Sequence, residues 1–256
     1  EPGSLAVHDL WQEELLGAMR PAARALLHLR CGELLERESG STHSASMASD
    51  AARHLIAAGA RERAVHLLEE SAAYQVANGL GEEAVASIDQ ALEVVTADAD
   101  KARLETARIR ALLTIGAWKK IRASIGRAMA ADAQATLSSI EHSELELVDV
   151  EATMLADMDL WGTIRRSAAC VDDRTASVLH RATAARIGAR AASNLALAER
   201  LMFFADRAQR ITVADDEVRS QVLGVQTVYH TDLGSLEHAV AISEEALAIE
   251  RRTANL

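Results

Sequence analysis

The sequence predicts an all-α protein built from antiparallel helix hairpins stacked into a solenoid, and three observations lead there. One spacing recurs four times, as Gly59-Ala64-Leu68-Ser71, Gly79-Ala84-Ile88-Ala91, Gly116-Ile121-Ile125-Ala128 and Gly234-Ala239-Ser243-Ala246. The glycine permits the turn that ends one helix, and the residues that follow at helical spacing share a face of the next. Proline occurs only at Pro2 and Pro21, so nothing beyond Ala22 removes a backbone donor from a helix. Apolar residues make up 49% of the 256 but aromatics only 3%, so the core must be Ala, Leu, Val and Ile. Small side chains let helix axes approach closely. A stack of hairpins can be this long without one large core, because each hairpin buries its face on its neighbours. The pattern gives about six hairpins.

Taken in order, His8 to Met19 predicts a short helix. Pro21 opens a second at a position where a missing amide costs nothing, with Leu26, Leu27, Leu34 and Leu35 on its buried side. The run Ser39 to Ser46 is low in complexity and is expected to be a flexible connection, its His43 solvated. Helices are then expected at Ala45 to Ala58, Arg61 to Asn78, Glu82 to Val95, Lys101 to Thr114 and Trp118 to Ala131, separated by Gly, Asn or Asp. A longer helical region runs from Thr136 to Asp157. Trp161 opens the next helix in the place Trp118 holds two helices earlier, and each tryptophan is expected to pack under the helix before it. Thr175 to Ala192 with Ala196 to Arg210, and Glu217 to Thr231 with Leu236 to Arg252, complete the array. Residues 1–40 are thus leading helices and residues 45–256 the repeats.

The formal net charge of −11 disfavours direct nucleic-acid binding, which draws its affinity from Lys and Arg displacing counterions. Cys31 and Cys170 have no CxxC or zinc spacing and are expected to be small buried apolar groups in a reduced, cytoplasmic protein. The first twenty residues carry Glu1, Asp9, Glu13 and Glu14 and lack a signal-peptide core, and no stretch is apolar enough to span a membrane. A start at Glu1 and a stop just after a repeat suggest a piece of a longer protein. No phosphate-cradling, hydrolase, zinc-protease or dinucleotide motif is present, and acids follow the Gly79-Leu80-Gly81 turn. Neither a catalytic residue nor a cofactor is therefore expected. The histidine pairs His54 with His66 and His230 with His238 lack carboxylates at ligand spacing, so no metal site is expected either.

Charge is distributed in blocks. From Thr106 to Ala131 the chain holds Arg108, Arg110, Lys119, Lys120, Arg122 and Arg127 and no acid. Asp132 to Leu160 holds eight acids and no Lys or Arg, and Arg174 to Ala198 is again basic. One reading is that neighbouring helices pair their charges and fix register. The other places Arg103, Arg110, Arg186 and Arg190 on inner helices facing a groove. Arg103 and Arg110, like Arg186 and Arg190, share a helix face, and forked guanidinium contacts there would hold a small anionic effector or an acidic peptide.

The stretch with Gly79, Glu83, Ala84, Ile88 and Ala91 resembles the tetratricopeptide repeat (TPR), which implies a right-handed α-solenoid. Equivalent sites fall at Ala84, Ile121, Ile164, Ala198 and Ala239, spaced by about forty residues. From Val7 to Val95 the words VHDLWQEELLGAM, ALLHLRCGELLE and AARHLIAAGARERAVHLLEESAAYQVANGLGEEAVASIDQALEVV resemble the junction after the ATPase module of STAND-type signal-transduction ATPases. That group includes LuxR-type transcriptional regulators, among them maltose-regulon activators, and ATPase-linked adenylate cyclases. The helix at His8 matches the tail of their winged-helix segment, and Leu27-His28 the next helix. The resemblance implies a signal-sensing or protein-docking arm with adjacent ATPase and DNA-binding domains in the parent chain. It carries over neither ATP hydrolysis nor DNA binding, because the residues for both have no counterpart here. A free-standing interaction scaffold and the regulatory region of a cyclase are the alternatives.

Overall fold

The computed structural model describes residues 18–42, 44–132, 137–213 and 215–254, and these form twelve helices and no strand. They are α1 (Pro21–Thr42), α2 (Ala45–Ala57), α3 (Arg61–Ala77), α4 (Gly81–Leu92), α5 (Asp98–Thr114), α6 (Trp118–Ala131), α7 (Ser139–Asp157), α8 (Leu160–Asp172), α9 (Val178–Asn194), α10 (Ala198–Gln209), α11 (Asp216–Asp232) and α12 (Leu236–Ala254). The expected helices are present within a few residues of their expected ends. The short helix expected from His8 lies, up to Gly17, outside the described residues, as does His43. The Ser39 to Ser46 run is not a connection: α1 continues through Thr42 and α2 begins at Ala45. Serine supports both sides of this corner. The Ser39 hydroxyl donates to the Ser44 carbonyl at 3.3 Å, and Ser44 caps α2 by accepting from the Met47 amide.

Odd and even helices differ in kind. From α3 to α11 the odd helices have 17 or 19 residues, while α4 to α10 have 12 to 14. Even helices such as α10 bury one stripe, Leu201, Phe204, Ala205 and Ala208. The odd helix α9 buries Ala182, Ala184, Ala185, Ile187, Gly188, Ala189, Ala191 and Ala192, most of its circumference, because it packs against α7, α8, α10 and α11 together. Helices crowded on so many sides need small residues, and that is where the alanine of the composition goes.

The turns explain the glycine spacing. Gly59, Gly79, Gly116 and Gly234 have φ between 63° and 84°, the left-handed conformation that closes a helix. In each case the next amide reaches back five residues, as Leu80 does to the Gln75 carbonyl at 2.8 Å. Two more connections pass through the left-handed conformation without glycine: Ala196 (φ 53°), where the next amide again reaches back five residues, and Met158 (φ 58°), where it reaches back six, to the Thr153 carbonyl. Counting five, nine and twelve residues from them gives Thr163-Ser167-Cys170 on α8 and Leu201-Ala205-Ala208 on α10, all buried. The recurring stripe of the even helices from α4 on is thus Ala84-Ile88-Ala91, Ile121-Ile125-Ala128, Thr163-Ser167-Cys170, Leu201-Ala205-Ala208 and Ala239-Ser243-Ala246. The Gly59 stripe falls on the odd helix α3. The sites expected at Ile164 and Ala198 are corrected to Thr163 and Leu201.

That one-residue shift also accounts for the tryptophans. Trp118 lies three residues before Ile121, on the stripe face of α6, and is half-buried. Trp161 lies two residues before Thr163, on the opposite face of α8, and is 53% exposed, contrary to the expectation that it packs under the preceding helix.

The described residues divide into two compact units, 18–117 with 126–132, and 118–125 with 137–254. In the first, Leu55, Leu68, Ile88 and Leu104 pack with Ala48, Ala51, Ala64, Ala84 and Ala111 into an aliphatic core. In the second, Met154, Ile164, Val171, Val222 and the alanines of α9 share one core with Phe204. Gly188 makes room for that ring, since a Cβ there would stand 2.2 Å from Phe204 Cζ. No helix of the described residues is long and apolar enough to cross a membrane.

Candidate functional site

Two places hold side chains whose chemistry exceeds packing: the arginines of the odd helices, and a polar cluster inside the second unit.

Arg103, on α5, lies in the first unit with its guanidinium taken by two carboxylates. It pairs with Glu69 of α3 and, at 3.0 Å, with Asp100 of its own helix. The hydrogen bond it donates to Glu69, more than any other contact, holds its pKa above the ordinary arginine value. These groups border a groove of about 580 Å³ between α3 and the start of α5, which also holds Arg61, Glu62 and His66. Acids and bases alternate there. Arg110, two turns on, is exposed. In the second unit, Arg186 of α9 is half-buried, donates through Nε to Gln221 of α11 at 2.7 Å, and lies 3.7 Å from Glu151 of α7. Arg190, one turn further, is exposed. The structure therefore keeps each expected pair on one helix and spends Arg103 and Arg186 on ties between successive odd helices.

Such ties recur. Arg63 of α3 pairs with Glu36 of α1, and Arg207 of α10 with Asp172 of α8 at 2.8 Å. The contacts Glu69 to Arg103, Asp172 to Arg207 and Arg186 to Gln221 each span 34 or 35 residues. The basic and acidic blocks pair in the same way: Arg108 with Asp89, Arg127 with Glu105, Arg122 with Asp157. Pairing of neighbours is the observed use of the blocks. Individually such exposed pairs are weak, but they set register.

The second place was not visible in the sequence. Glu146 of α7, Cys170 of α8 and His180 of α9 present a carboxylate oxygen, a sulfur and a ring nitrogen that all lie within 4.8 Å of one another. Cys170 and His180 are buried, at 6% and 5% exposure, whereas the Glu146 side chain is 54% exposed and forms the open side. His180 Nε2 faces Glu146 Oε2 at 3.8 Å, beyond hydrogen-bond reach, and its Nδ1 is buried without a partner. The Ser167 hydroxyl, one turn before Cys170 on the same face, is also buried without a partner. Burial, and after it the Glu146 carboxylate, push the Cys170 thiol up to about 11. A thiol so placed is protonated at neutral pH and is no nucleophile. Thr163, Ser167 and Cys170 are the stripe of α8, where the neighbouring even helices α6 and α10 carry Ile, Leu and Ala. Hydroxyl and thiol thus replace aliphatic side chains in one repeat.

No protein-family profile matches the chain, and no curated protein is significantly similar to it. One solved structure is. A crystal structure from Podosopora anserina, of nearly identical TPR-like repeats of a protein provisionally assigned as a kinesin light chain, superposes with a TM-score of 0.51 at 17% identity. The match covers 75% of this chain and 97% of that one. The fold is TPR-like. An all-α solenoid of repeated helix hairpins is the architecture that the turns, the stripes and this comparison share.

Proposed function

We propose that this chain is the signal-sensing or protein-docking helical-repeat domain of a bacterial STAND-type regulator, of the LuxR-like kind. The observation that carries the docking part is the TPR-like series of hairpins itself, whose odd helices offer exposed, ordered side chains of both signs at repeat intervals. The likeness of Val7 to Val95 to the STAND junction supplies the regulator part. A protein or peptide partner suits the surface better than a small anion. Arg103 is already neutralised by Glu69 and Asp100, and Arg186 sits between Gln221 and Glu151, whereas a peptide bearing both charges can pair with an alternating surface without displacing these ties. A partner that binds one arrangement of the helices more tightly than another would bias the neighbouring ATPase by that difference in affinity.

The coding sequence on both sides tests the regulator. A phosphate-binding loop upstream and a DNA-reading helix-turn-helix downstream are expected. A cyclase domain would make the parent a second-messenger enzyme, and stop codons close to both ends would leave a free-standing scaffold. For the surface, Arg110→Glu with Arg190→Glu should weaken partner capture while leaving the melting temperature within about 2 °C, the mild response of exposed sites. Unchanged capture would remove these faces from the interface.

A further inference from the structure

We propose that Glu146, Cys170 and His180 form a binding site for one thiophilic divalent cation of the zinc class, clamping α7, α8 and α9 together. Sulfur, imidazole nitrogen and carboxylate oxygen are the three donors zinc takes, and this mixed set is softer than the oxygen cages that select magnesium or calcium. The separations fit. Tetrahedral zinc at ordinary bond lengths holds its ligand atoms about 3.3–3.8 Å apart, so donors within 4.8 Å of one another have at most about 1.5 Å to close. The ligand with most freedom to close it is Glu146, whose side chain is 54% exposed and gives the ion its way in.

Three features point to a ligand. The imidazole of His180 is 95% buried by its 5% exposure, its Nε2 faces Glu146 at 3.8 Å, too far for a hydrogen bond, and its Nδ1 has no partner. Buried ring nitrogens without partners are rare, because each costs its desolvation unless something occupies it. Ser167 adds a second unpartnered polar group, its hydroxyl, a single turn from Cys170. Finally, the α8 stripe departs from its aliphatic neighbours at Thr163, Ser167 and Cys170 together, in the one even helix that faces Glu146 and His180. Binding replaces the thiol S–H bond with an S–metal bond and releases that proton to solvent. Three protein ligands leave a fourth position for water.

The test is a titration of the metal-stripped protein with Zn²⁺ against a chromophoric chelator, with Co²⁺ as a spectroscopic stand-in. One equivalent of zinc should bind, raise the melting temperature, and give with cobalt a thiolate-to-metal charge-transfer band and intense tetrahedral bands. Cys170→Ser should abolish the charge-transfer band. Glu146→Gln, at an exposed side chain that leaves folding intact, should lower zinc affinity at least about tenfold. Absence of stoichiometric binding overturns the site, and so does an octahedral cobalt spectrum without the thiolate band. Binding unchanged in both variants overturns it too, placing the ion elsewhere, such as the His230 and His238 rings, 4.6 Å apart.

Discussion

The two units solve the same packing problem with opposite treatment of their buried polar groups. In the first, Gln75 is 1% exposed yet fully engaged: its Nε2 donates to Ser71 Oγ and its Oε1 accepts from Ser87 Oγ, both at 3.2 Å. In the second, Ser167 Oγ and His180 Nδ1 are buried with no partner at all. The aliphatic first unit uses its polar pair to fix how α3 meets α4. The second fixes its helices by shape, with Phe204 seated in the notch of Gly188, and leaves polar groups over. Satisfied polar groups indicate structure; unsatisfied ones in an otherwise fitted core indicate something the fold alone does not supply.

The largest effect should come from breaking the shape-fixed unit. Phe204→Ala removes a fully buried ring from the centre of α9 and α10 and should cost about 3–5 kcal/mol in a urea melt. Gly188→Ala drives a Cβ into the same ring and should cost about 1–3 kcal/mol. The two changes share one contact, so the double variant should lose less than the sum. Simple additivity would show that the notch is not tight.

Next in size is the polar contrast itself. Gln75→Ala strands the Ser87 hydroxyl and opens a void, an expected loss of about 2–3 kcal/mol. Ser167→Ala, in metal-free protein, removes a hydroxyl that has no bond to lose. It should be neutral or stabilising by up to about 1 kcal/mol. Equal losses at the two sites would mean that Ser167 has a strong partner, and the contrast between units would fail.

The turns give a finer comparison. Ala196 holds at φ 53° the conformation that Gly79 holds at 74°. A side chain in the left-handed region is strained, whereas glycine is not, so Ala196→Gly should stabilise by about 0.5–1 kcal/mol and Gly79→Ala should destabilise by about the same. Matching signs for the two would disprove their equivalence.

This last pair shows where the sequence speaks and where it falls silent. Glycine turns and the stripes that follow them are local, so the helices and their pairing were legible wherever a glycine marked the turn. Met158 and Ala196 pass through the same left-handed conformation without the marker, and reading past them put Ile164 in place of Thr163 and sent Trp161 to the wrong face. The repeat of about forty residues was legible in outline, and its stripe sites fall at Ala84, Ile121, Thr163, Leu201 and Ala239 once those two turns are placed. Glu146, Cys170 and His180 have no local spacing to betray them, because three separate helices bring them together.

The smallest effect belongs to a polar contact of the first unit that fails once both of its rings carry a proton on each nitrogen. His28 and His54 share one hydrogen bond, Nδ1 to Nδ1 at 2.9 Å, which requires one ring to donate and the other to accept. Burial first, then the positive charges of His28 and Arg53, lower the His54 pKa below its ordinary value, against a smaller opposing pull from Asp50. The folded state therefore resists a proton that the unfolded chain takes up near pH 6.5. Stability from this pair is complete above that pH and is lost as pH falls through the lower folded-state value. Melting curves between pH 8 and about pH 5 should show the wild type losing more than His54→Gln, which has no ring to protonate. Parallel profiles would mean that the α1–α2 corner is held by Leu29, Leu35 and Leu55 alone, and that the shared proton contributes nothing.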